Sequence, residues 1–379
     1  MLNRKTEPLD HPFLNVVSGL NNEYISSARS GGKKAIGFFC SYVPRELLDA
    51  AGLVPYRMRA PNNTGTDVAD TYLGQFNCSY TRCVLESILD DSLDFIDGYV
   101  FVASCDHLRR LYDNVRYLVK PDLCHILDLP HKTHDDAVDW YTEELHILRD
   151  NIEQSLGNKI RDDDIVGSIK RTNELRTVLS KIQELRKIDE PKLTGEEMHR
   201  IMVGINSTPA DVAIEQLKEI YEKLEERDPP RGYRARLLIM GSQMDDPAYI
   251  AAMEEMGGLV VGDAFCEGSI QFAEMVDEDE EPLRALATRY VRKLSCPRMF
   301  EGFKERYGRI ADAVSEYRAD GVVIEPMKFC DTWNIDAQLF VNRFRDDHIE
   351  VLKLEREYML SGVGQLRTRV QAFIEMMGK

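Results

Sequence analysis

The sequence lacks several patterns that would assign the protein to a common class. No apolar run approaches the ~20 residues that span a membrane, and residues 1–10 lack the apolar core of a secretory signal. Basic residues are not in excess, since the formal net charge of the chain is −17. This charge argues against nucleic acid and anionic membranes as partners. We therefore expect a cytoplasmic protein that binds neither nucleic acid nor a membrane.

The eight cysteines follow no familiar metal-binding spacing. There is no C-x-x-C pair and no Cys/His quartet, which disfavours a zinc finger or zinc ribbon. Structural disulfides are rare in the reducing cytoplasm. Taken one at a time, these cysteines are therefore typical of small buried apolar residues, and only their positions relative to strands and helices can indicate a function.

Length and composition indicate an ordinary globular protein. The chain has 379 residues, of which 43% are apolar and 30% are charged. This length is enough for two domains and an insertion, and the composition is typical of soluble proteins.

One combination of strand and cysteine occurs twice. In residues 97–106 and again in residues 320–331, an Asp-Gly turn leads into an apolar strand, and the segment ends in Cys-Asp. A second block, made of proline, an amphipathic helix, glycine and a strand, begins at Pro44 and again at Pro247. The two blocks keep the same order in both halves. The repeat predicts a duplicated α/β unit that presents one cysteine from each half toward a shared crevice.

The order of predicted elements defines the fold class. Strands alternate with helices in both halves, which indicates doubly wound parallel sheets. From about residue 135 to 228 the strand signals stop and helical spacing prevails. We predict an α/β fold with two Rossmann-like, doubly wound parallel-sheet domains, at residues 1–134 and 232–379, and an all-helical insertion at residues 135–231.

Three cysteines, Cys40, Cys105 and Cys330, lie at or just past the carboxyl end of a predicted strand. In open α/β sheets, ligands bind beyond these ends, where the strand order reverses. Cys78 precedes a predicted helix, and Cys266 lies in a loop after a strand. Because the dipole at a helix N-terminus lowers the pKa of a thiol, we expect thiolates here, and thiolates are the ligands of iron–sulfur clusters.

Five stretches of the sequence resemble the 2-hydroxyacyl-CoA dehydratase and benzoyl-CoA reductase family. They are Phe39–Leu47, Cys78–Arg82, Asp97–Asp106, Lys328–Asp331 and Gly362–Arg369. The resemblance extends from about residue 33 to the C-terminus and is loosest in the helical insertion. It implies two Rossmann-like halves with an oxygen-sensitive cluster between them. It also assigns the three ligands of a [4Fe-4S] cluster to Cys78, Cys105 and Cys330.

The sequence has more thiols at such positions than a single cluster of this kind needs. Some members of the family hold an [8Fe-9S] double-cubane cluster with an enlarged cysteine set. Here Cys40, Cys83 and Cys266 would complete a set of six, and both cluster types remain open. Cys83 lies inside the predicted helix, where packing is its alternative role. Cys124 and Cys296 are predicted to pack.

The resemblance implies an iron–sulfur subunit of an ATP-dependent, benzoyl-CoA reductase-like enzyme that passes low-potential electrons to an aromatic acyl-CoA thioester. The implied partners are a related cluster-binding subunit, an ATP-hydrolysing activator and a low-potential electron donor such as ferredoxin. Three alternatives stay open: a 2-hydroxyacyl-CoA dehydratase subunit, a homodimeric double-cubane reductase and a non-catalytic electron-relay subunit.

No catalytic acid or base can be assigned from the sequence. His107 and His131 are candidate proton donors near the predicted crevice, but surface positions in a helix or loop explain them equally well. Asp106 and Asp331 are predicted to be helix caps. Trp333 is predicted either to border the cluster or to pack.

Overall fold

A computed structural model of the chain describes residues 7–61, 63–157, 159–272, 274–293, 296–360 and 362–379. Within these residues the strands form two four-stranded sheets, and every strand pair is parallel. The first sheet contains Ala35–Phe38 (β1), Val54–Arg57 (β2), Gly98–Val102 (β3) and Leu123–Leu127 (β4). The second contains Ala235–Gly241 (β5), Gly258–Ala264 (β6), Gly321–Glu325 (β7) and Val351–Lys353 (β8).

The predicted fold class is confirmed. The strand order is β2-β1-β3-β4 in the first sheet and β6-β5-β7-β8 in the second, so the second sheet repeats the topology of the first. In each sheet, the direction in which successive strands are added reverses at one point. This point lies between β1 and β3 in the first sheet and between β5 and β7 in the second. At such a reversal an open α/β sheet forms a crevice beyond the carboxyl ends of its strands. The molecule therefore has two such crevices.

The strands at the reversal points are buried along their whole length. All residues of β1, β3, β5 and β7 are buried, as expected for parallel strands that are covered on both faces. Gly241 ends β5 with a φ of +155°, and a Cβ at this position would overlap the carbonyl oxygen of Glu325 at the end of β7. Glycine therefore allows β5 to run close to β7 as the chain turns toward the crevice.

Thirteen α-helices lie in the described part of the chain. They are Glu23–Ser30 (α1), Arg45–Ala50 (α2), Ser79–Leu89 (α3), Asp106–Leu118 (α4), Asp135–Leu156 (α5), Asp162–Lys187 (α6), Gly195–Ile205 (α7), Ala210–Glu226 (α8), Pro247–Glu254 (α9), Pro282–Arg292 (α10), Phe303–Glu316 (α11), Asp331–Asp346 (α12) and Val363–Met376 (α13). Short 3-10 helices occupy Pro12–Ser18, Ala69–Thr71, Ser269–Phe272 and Phe300–Gly302. None of the described helices is both long enough and apolar enough to cross a membrane.

Helices α5 to α8 connect the two sheets, and no strand interrupts them in the described residues between β4 and β5. Helix α5 packs on β4 and on α10, α6 packs on α2 and α8, and α7 packs on α9. These helices therefore contact elements from both halves of the chain. The domain boundaries at residues 134/135 and 231/232 stay a prediction.

Hydrogen bonds between distant segments hold the two halves together near the crevice. The Tyr358 hydroxyl accepts a hydrogen bond from the backbone N–H of Ala60 at 2.7 Å and donates to the Asp245 carboxylate at 2.6 Å. The Ser79 hydroxyl donates to Glu357 at 2.7 Å. Because all of these residues are buried or part-buried, the contacts fix the position of one half relative to the other.

Candidate functional site

Six cysteines line one cavity between the carboxyl ends of the two sheets. The cavity has a volume of about 100 Å³. From the first half come Cys40, Cys78 and Cys105, and from the second half come Cys266, Cys296 and Cys330. Each is a free thiol. The shared crevice predicted from the repeat therefore contains three thiols from each half.

Three of these cysteines occupy equivalent positions at helix N-termini. Cys78, Cys105 and Cys330 are the N-cap residues of α3, α4 and α12, and none of their side chains makes a capping hydrogen bond. Asp106 and Asp331 are the first residues of α4 and α12 rather than their caps, so the predicted capping role was wrong. Helix α4 therefore begins at Asp106, two residues before Leu108, where the sequence pattern predicts its start.

Burial, rather than the helix dipole, dominates the acidity of these thiols. Burial, and then the neighbouring Cys330, raise the pKa of Cys78 to about 11. Burial, and then Cys78, raise the pKa of Cys105 well above its ordinary value. The expectation that helix dipoles would lower the thiol pKa was therefore wrong, because the loss of solvation at these sulfur atoms outweighs the dipole. These thiols become good ligands only when a positive centre favours the thiolate.

The remaining cysteines of the cavity are Cys40, Cys266 and Cys296, and thiol–thiol effects on pKa link them as well. Burial, and then Cys296, raise the pKa of Cys266 well above its ordinary value, and burial followed by Cys40 raises the pKa of Cys296 to about 12. The leading thiol effects on these pKa values link Cys78, Cys105 and Cys330 in one set and Cys40, Cys266 and Cys296 in another. The sets also interact with each other, since Cys330 raises the pKa of Cys266 and Cys296, and Cys40 raises the pKa of Cys105.

The structure differs from the sequence analysis at two cysteines. Cys83, one of the predicted ligands, lies in α3, is fully buried in an apolar cluster and does not line the cavity. Cys296, which was predicted to pack, does line it. Cys124 lies in β4 away from the cavity, at the position predicted for a packing residue. One feature of the sequence could have indicated that Cys296 faces the cavity. It precedes Pro297 and lies outside any regular strand or helix.

Hydrogen-bonding groups lie close to three of the sulfur atoms. The Thr81 hydroxyl lies 3.6 Å from Cys78 Sγ but donates to the Cys78 carbonyl oxygen at 2.9 Å, and the Thr332 hydroxyl lies 3.8 Å from Cys330 Sγ. The backbone N–H of Arg298 donates to Cys296 Sγ at 3.5 Å. A donated N–H stabilises negative charge on sulfur and tunes the potential of any cluster that the sulfur binds.

Cationic side chains that the sequence analysis missed also line the cavity. Arg57 donates to the Ser41 hydroxyl at 3.1 Å and to the Gln243 side chain at 2.6 Å. Lys293 donates to the backbone carbonyl of Ser41 at 3.0 Å. Burial, and then the charge of Arg289, lower the pKa of Lys293 to about 7. Arg57 could have been noticed as the one charged residue in the apolar stretch 53–58.

The candidate proton donors lie outside the cavity lining. The Nδ1 atom of His107 accepts a hydrogen bond from the backbone N–H of Cys78 at 3.3 Å, so this ring supports the start of α3. His131 is exposed. Trp333, in contrast, is buried and lines the cavity. Its indole N–H has no hydrogen-bond partner among the described residues.

The metal-ligating side chains among the described lining residues are all thiols, with no carboxylate or imidazole. The thiols surround a common space, and the ligands of an iron–sulfur cluster bind different irons around its perimeter. Six thiols with cations beside them therefore fit an anionic, thiolate-bound cluster.

Comparison with known proteins gives matches over nearly the whole chain. The family model described as "2-hydroxyglutaryl-CoA dehydratase, D-component" matches residues 40–377. The beta subunit of (R)-2-hydroxyglutaryl-CoA dehydratase from Acidaminococcus fermentans is 26% identical over 375 residues, which cover 95% of this chain and 97% of that protein.

Two further relatives belong to enzymes with different reactions. The beta subunit of (R)-phenyllactyl-CoA dehydratase from Clostridium sporogenes is 24% identical over 366 residues, covering 96% of this chain and 97% of that protein. One of the subunits of benzoyl-CoA reductase from Thauera aromatica is 24% identical over 330 residues, which cover 85% of this chain and 85% of that protein. The relatives are thus subunits of both dehydratases and a reductase.

Proposed function

Because the chain belongs to the 2-hydroxyglutaryl-CoA dehydratase D-component family, we propose that it is the iron–sulfur subunit of a low-potential, ATP-dependent enzyme. The cluster would be held in the six-thiol cavity. An activator that hydrolyses ATP would deliver the electrons, and ferredoxin or a similar donor would supply them. The relatives are each named as one subunit of a larger enzyme, which supports a need for partner subunits.

The observation that carries this proposal is that six thiols line one cavity. A [4Fe-4S] cluster takes at most four thiolates. We therefore favour the [8Fe-9S] double-cubane cluster, with one set of three thiols for each cubane: Cys78, Cys105 and Cys330, and Cys40, Cys266 and Cys296. Because about 100 Å³ holds roughly seven to ten heavy atoms, the cavity has to widen to take a cluster of this size. When bound, the cluster supplies electrons of low potential. A reductase with a double cubane is thus our first candidate.

The surrounding residues prepare the cavity for such a group. Arg57 and Lys293 place positive charge beside the thiolates, which offsets the cost of burying several negative charges. Leu108, Met327 and Trp333 contribute apolar lining to the cavity. Solvent exposure and nearby charge are among the means by which a protein sets the potential of a cluster.

We expect about eight irons and nine sulfides per chain in protein purified without oxygen, as an [8Fe-9S] cluster requires. The measurement is iron and acid-labile sulfide analysis together with protein quantification by amino-acid analysis. A content of about four irons would contradict the double cubane and leave the single-cubane form of the proposal. Absence of iron from anaerobically purified protein would contradict both.

A second candidate is an acyl-CoA enzyme, either a benzoyl-CoA reductase-like subunit or a 2-hydroxyacyl-CoA dehydratase subunit. The names of the relatives support it. We expect a benzoyl-CoA reductase to oxidise the low-potential donor in proportion to product when activator and ATP are present. A 2-hydroxyacyl-CoA dehydratase should instead form the enoyl-CoA and water with only catalytic amounts of the donor, because dehydration consumes no electrons. Benzoyl-CoA and a 2-hydroxyacyl-CoA are tested in parallel, and product formation is followed by mass spectrometry. Turnover of either thioester would support this candidate. If neither thioester is turned over, this candidate is contradicted and the double-cubane reductase is the candidate that stays.

A further inference from the structure

A second, smaller cavity lies next to the thiol cavity. Its volume is about 30 Å³. The two cavities share the lining residues Ser41, Arg57, Cys266 and Lys293. Since one water needs roughly 10–15 Å³ measured in this way, the smaller cavity has room for a species of about two or three heavy atoms.

The lining of the smaller cavity is strongly basic. Its five cationic side chains are all more than nine-tenths buried: Arg45, Arg57, Arg176, Arg289 and Lys293. The carboxylate in the lining is that of Glu267, and Glu46 lies directly behind Arg176. Arg57 and Lys293 also line the thiol cavity, Arg176 pairs with Glu46, and Arg289 donates to the backbone carbonyl of Glu274 at 2.9 Å. Among the described residues, no ion pair joins the remaining cation, Arg45, to a carboxylate. An excess of buried positive charge is costly unless a negative charge offsets it.

Arg45 shows the imbalance most directly. Its side chain is 5% exposed, and neither terminal nitrogen of its guanidinium has a hydrogen-bond partner among the described residues. The Nε atoms of Arg57 and Arg176 are also unpartnered within the described part of the chain. Unpaired donors on a buried charged group are among the most unfavourable features of a protein interior. Their convergence on one small space indicates a missing acceptor.

The proposed cluster accounts for Arg57, which lines both cavities, but not for Arg45 or Arg176. Arg45, Arg176 and Arg289 line the smaller cavity and do not line the thiol cavity. A water molecule would accept hydrogen bonds but would not offset the charge. A small anion would do both.

We propose that the smaller cavity is a binding site for a small monovalent inorganic anion, held by the guanidinium groups of Arg45, Arg57 and Arg176. The site goes beyond the proposed function, because the cations are present whether or not the thiols hold a cluster. An anion bound there would lie beside the thiol cavity, separated from it only by the shared lining residues.

Bromide is a suitable probe, since it is monovalent, small and visible by anomalous diffraction. Thermal unfolding of the anaerobic protein is measured in two buffers of equal ionic strength, one with sodium gluconate and one with sodium bromide. We expect the midpoint to rise by about 2 °C or more in bromide, since a ligand that binds only the folded state stabilises it. In Arg45→Met the rise should disappear. In gluconate alone, this variant should be at least as stable as the wild type, because it loses an unpaired buried charge.

Arg171→Met is the matched control. Arg171 lies on α6 like Arg176, but its side chain is 43% exposed and pairs with Asp49 at 2.6 Å. This variant should keep the full bromide shift. Equal midpoints of the wild type in both salts, or an undiminished shift in Arg45→Met, would overturn the proposal.

Diffraction gives a second measurement that does not depend on a variant. Crystals of the wild-type protein grown in bromide should show an anomalous peak among Arg45, Arg57 and Arg176, and the lack of a peak there would also overturn the proposal. Iron analysis of the same samples separates the two hypotheses. If iron-free protein shows the bromide-dependent rise in midpoint, the anion site is supported and the cluster is contradicted. If iron-loaded protein shows no rise, the cluster is supported and the anion site is contradicted.

Discussion

Replacing Cys105 with alanine should remove nearly all iron from the protein, to below about a tenth of the wild-type content. Cys105 caps α4 and lies in the thiol set that contains Cys78 and Cys330. A cluster that loses one of its few protein ligands in a closed cavity has no substitute thiolate at that iron. The measurement is iron and sulfide content of anaerobically purified protein, with circular dichroism to show that the fold is retained.

Cys296→Ala separates the two cluster types. If a double cubane uses both thiol sets, this variant should lose roughly half of the iron or more. If a single cubane uses only the set of Cys78, Cys105 and Cys330, the variant should keep all of it.

Two other cysteines serve as matched controls. Cys83 and Cys124 do not line the cavity, so Cys83→Ala and Cys124→Ala should retain the wild-type iron content. Iron loss in Cys83→Ala, together with full iron in Cys296→Ala, would show that the ligand set drawn from the sequence is correct and that the one drawn from the cavity is wrong.

Glu46→Gln should lower the free energy of unfolding by about 3–5 kcal/mol, the usual result when one partner of a buried ion pair is removed. The Glu46 carboxylate pairs with Arg176, and both side chains are at most 1% exposed. It also accepts a hydrogen bond from the Tyr290 hydroxyl at 2.8 Å. Burial raises the pKa of Glu46, but the charges of Arg176 and Arg289 outweigh burial and hold the pKa below its ordinary value. The carboxylate is therefore ionised at neutral pH.

The experiment is urea unfolding at neutral pH, followed by circular dichroism. Asp139→Asn is the control, since Asp139 forms an ion pair with Arg284 in which the two side chains are 59% and 41% exposed. Exposed pairs contribute about 0–1 kcal/mol, so this variant should remain close to the wild type. If the free energy of unfolding of Glu46→Gln is as close to that of the wild type, other groups compensate for the loss of the buried ion pair.

Much of the fold could be predicted because the relevant signals are local. The runs that became β3 and β4 stand out in the sequence, which predicts strands at Gly98–Val102 and Leu123–Leu127, and the observed bounds are the same. β3 is buried throughout, and β4 is buried at its two end residues. The Asp-Gly turns and the proline and glycine positions that flank helices repeat in the second half. A parallel sheet requires the same local pattern wherever it occurs, so the duplication could be recognised from the sequence.

Details of the thiol environment could not be predicted in this way. The start of α4 at Asp106 lies two residues before the predicted start, and its N-cap residue, Cys105, makes no side-chain capping bond. The pKa of each thiol depends on how completely other segments cover it. Helix dipoles favour the thiolate, but burial by distant residues was the larger effect at Cys78 and Cys105.

The sequence alone determined the duplicated α/β architecture and the placement of Cys40, Cys105 and Cys330 just past strand ends, because strand periodicity and turn chemistry act between neighbouring residues. Only the tertiary structure decided which thiols share a cavity. It brought in Cys296, left Cys83 in an apolar core, and gathered five buried cations beside the thiols. These outcomes depend on how two halves, more than a hundred residues apart in the chain, dock against each other, and no local pattern encodes that contact.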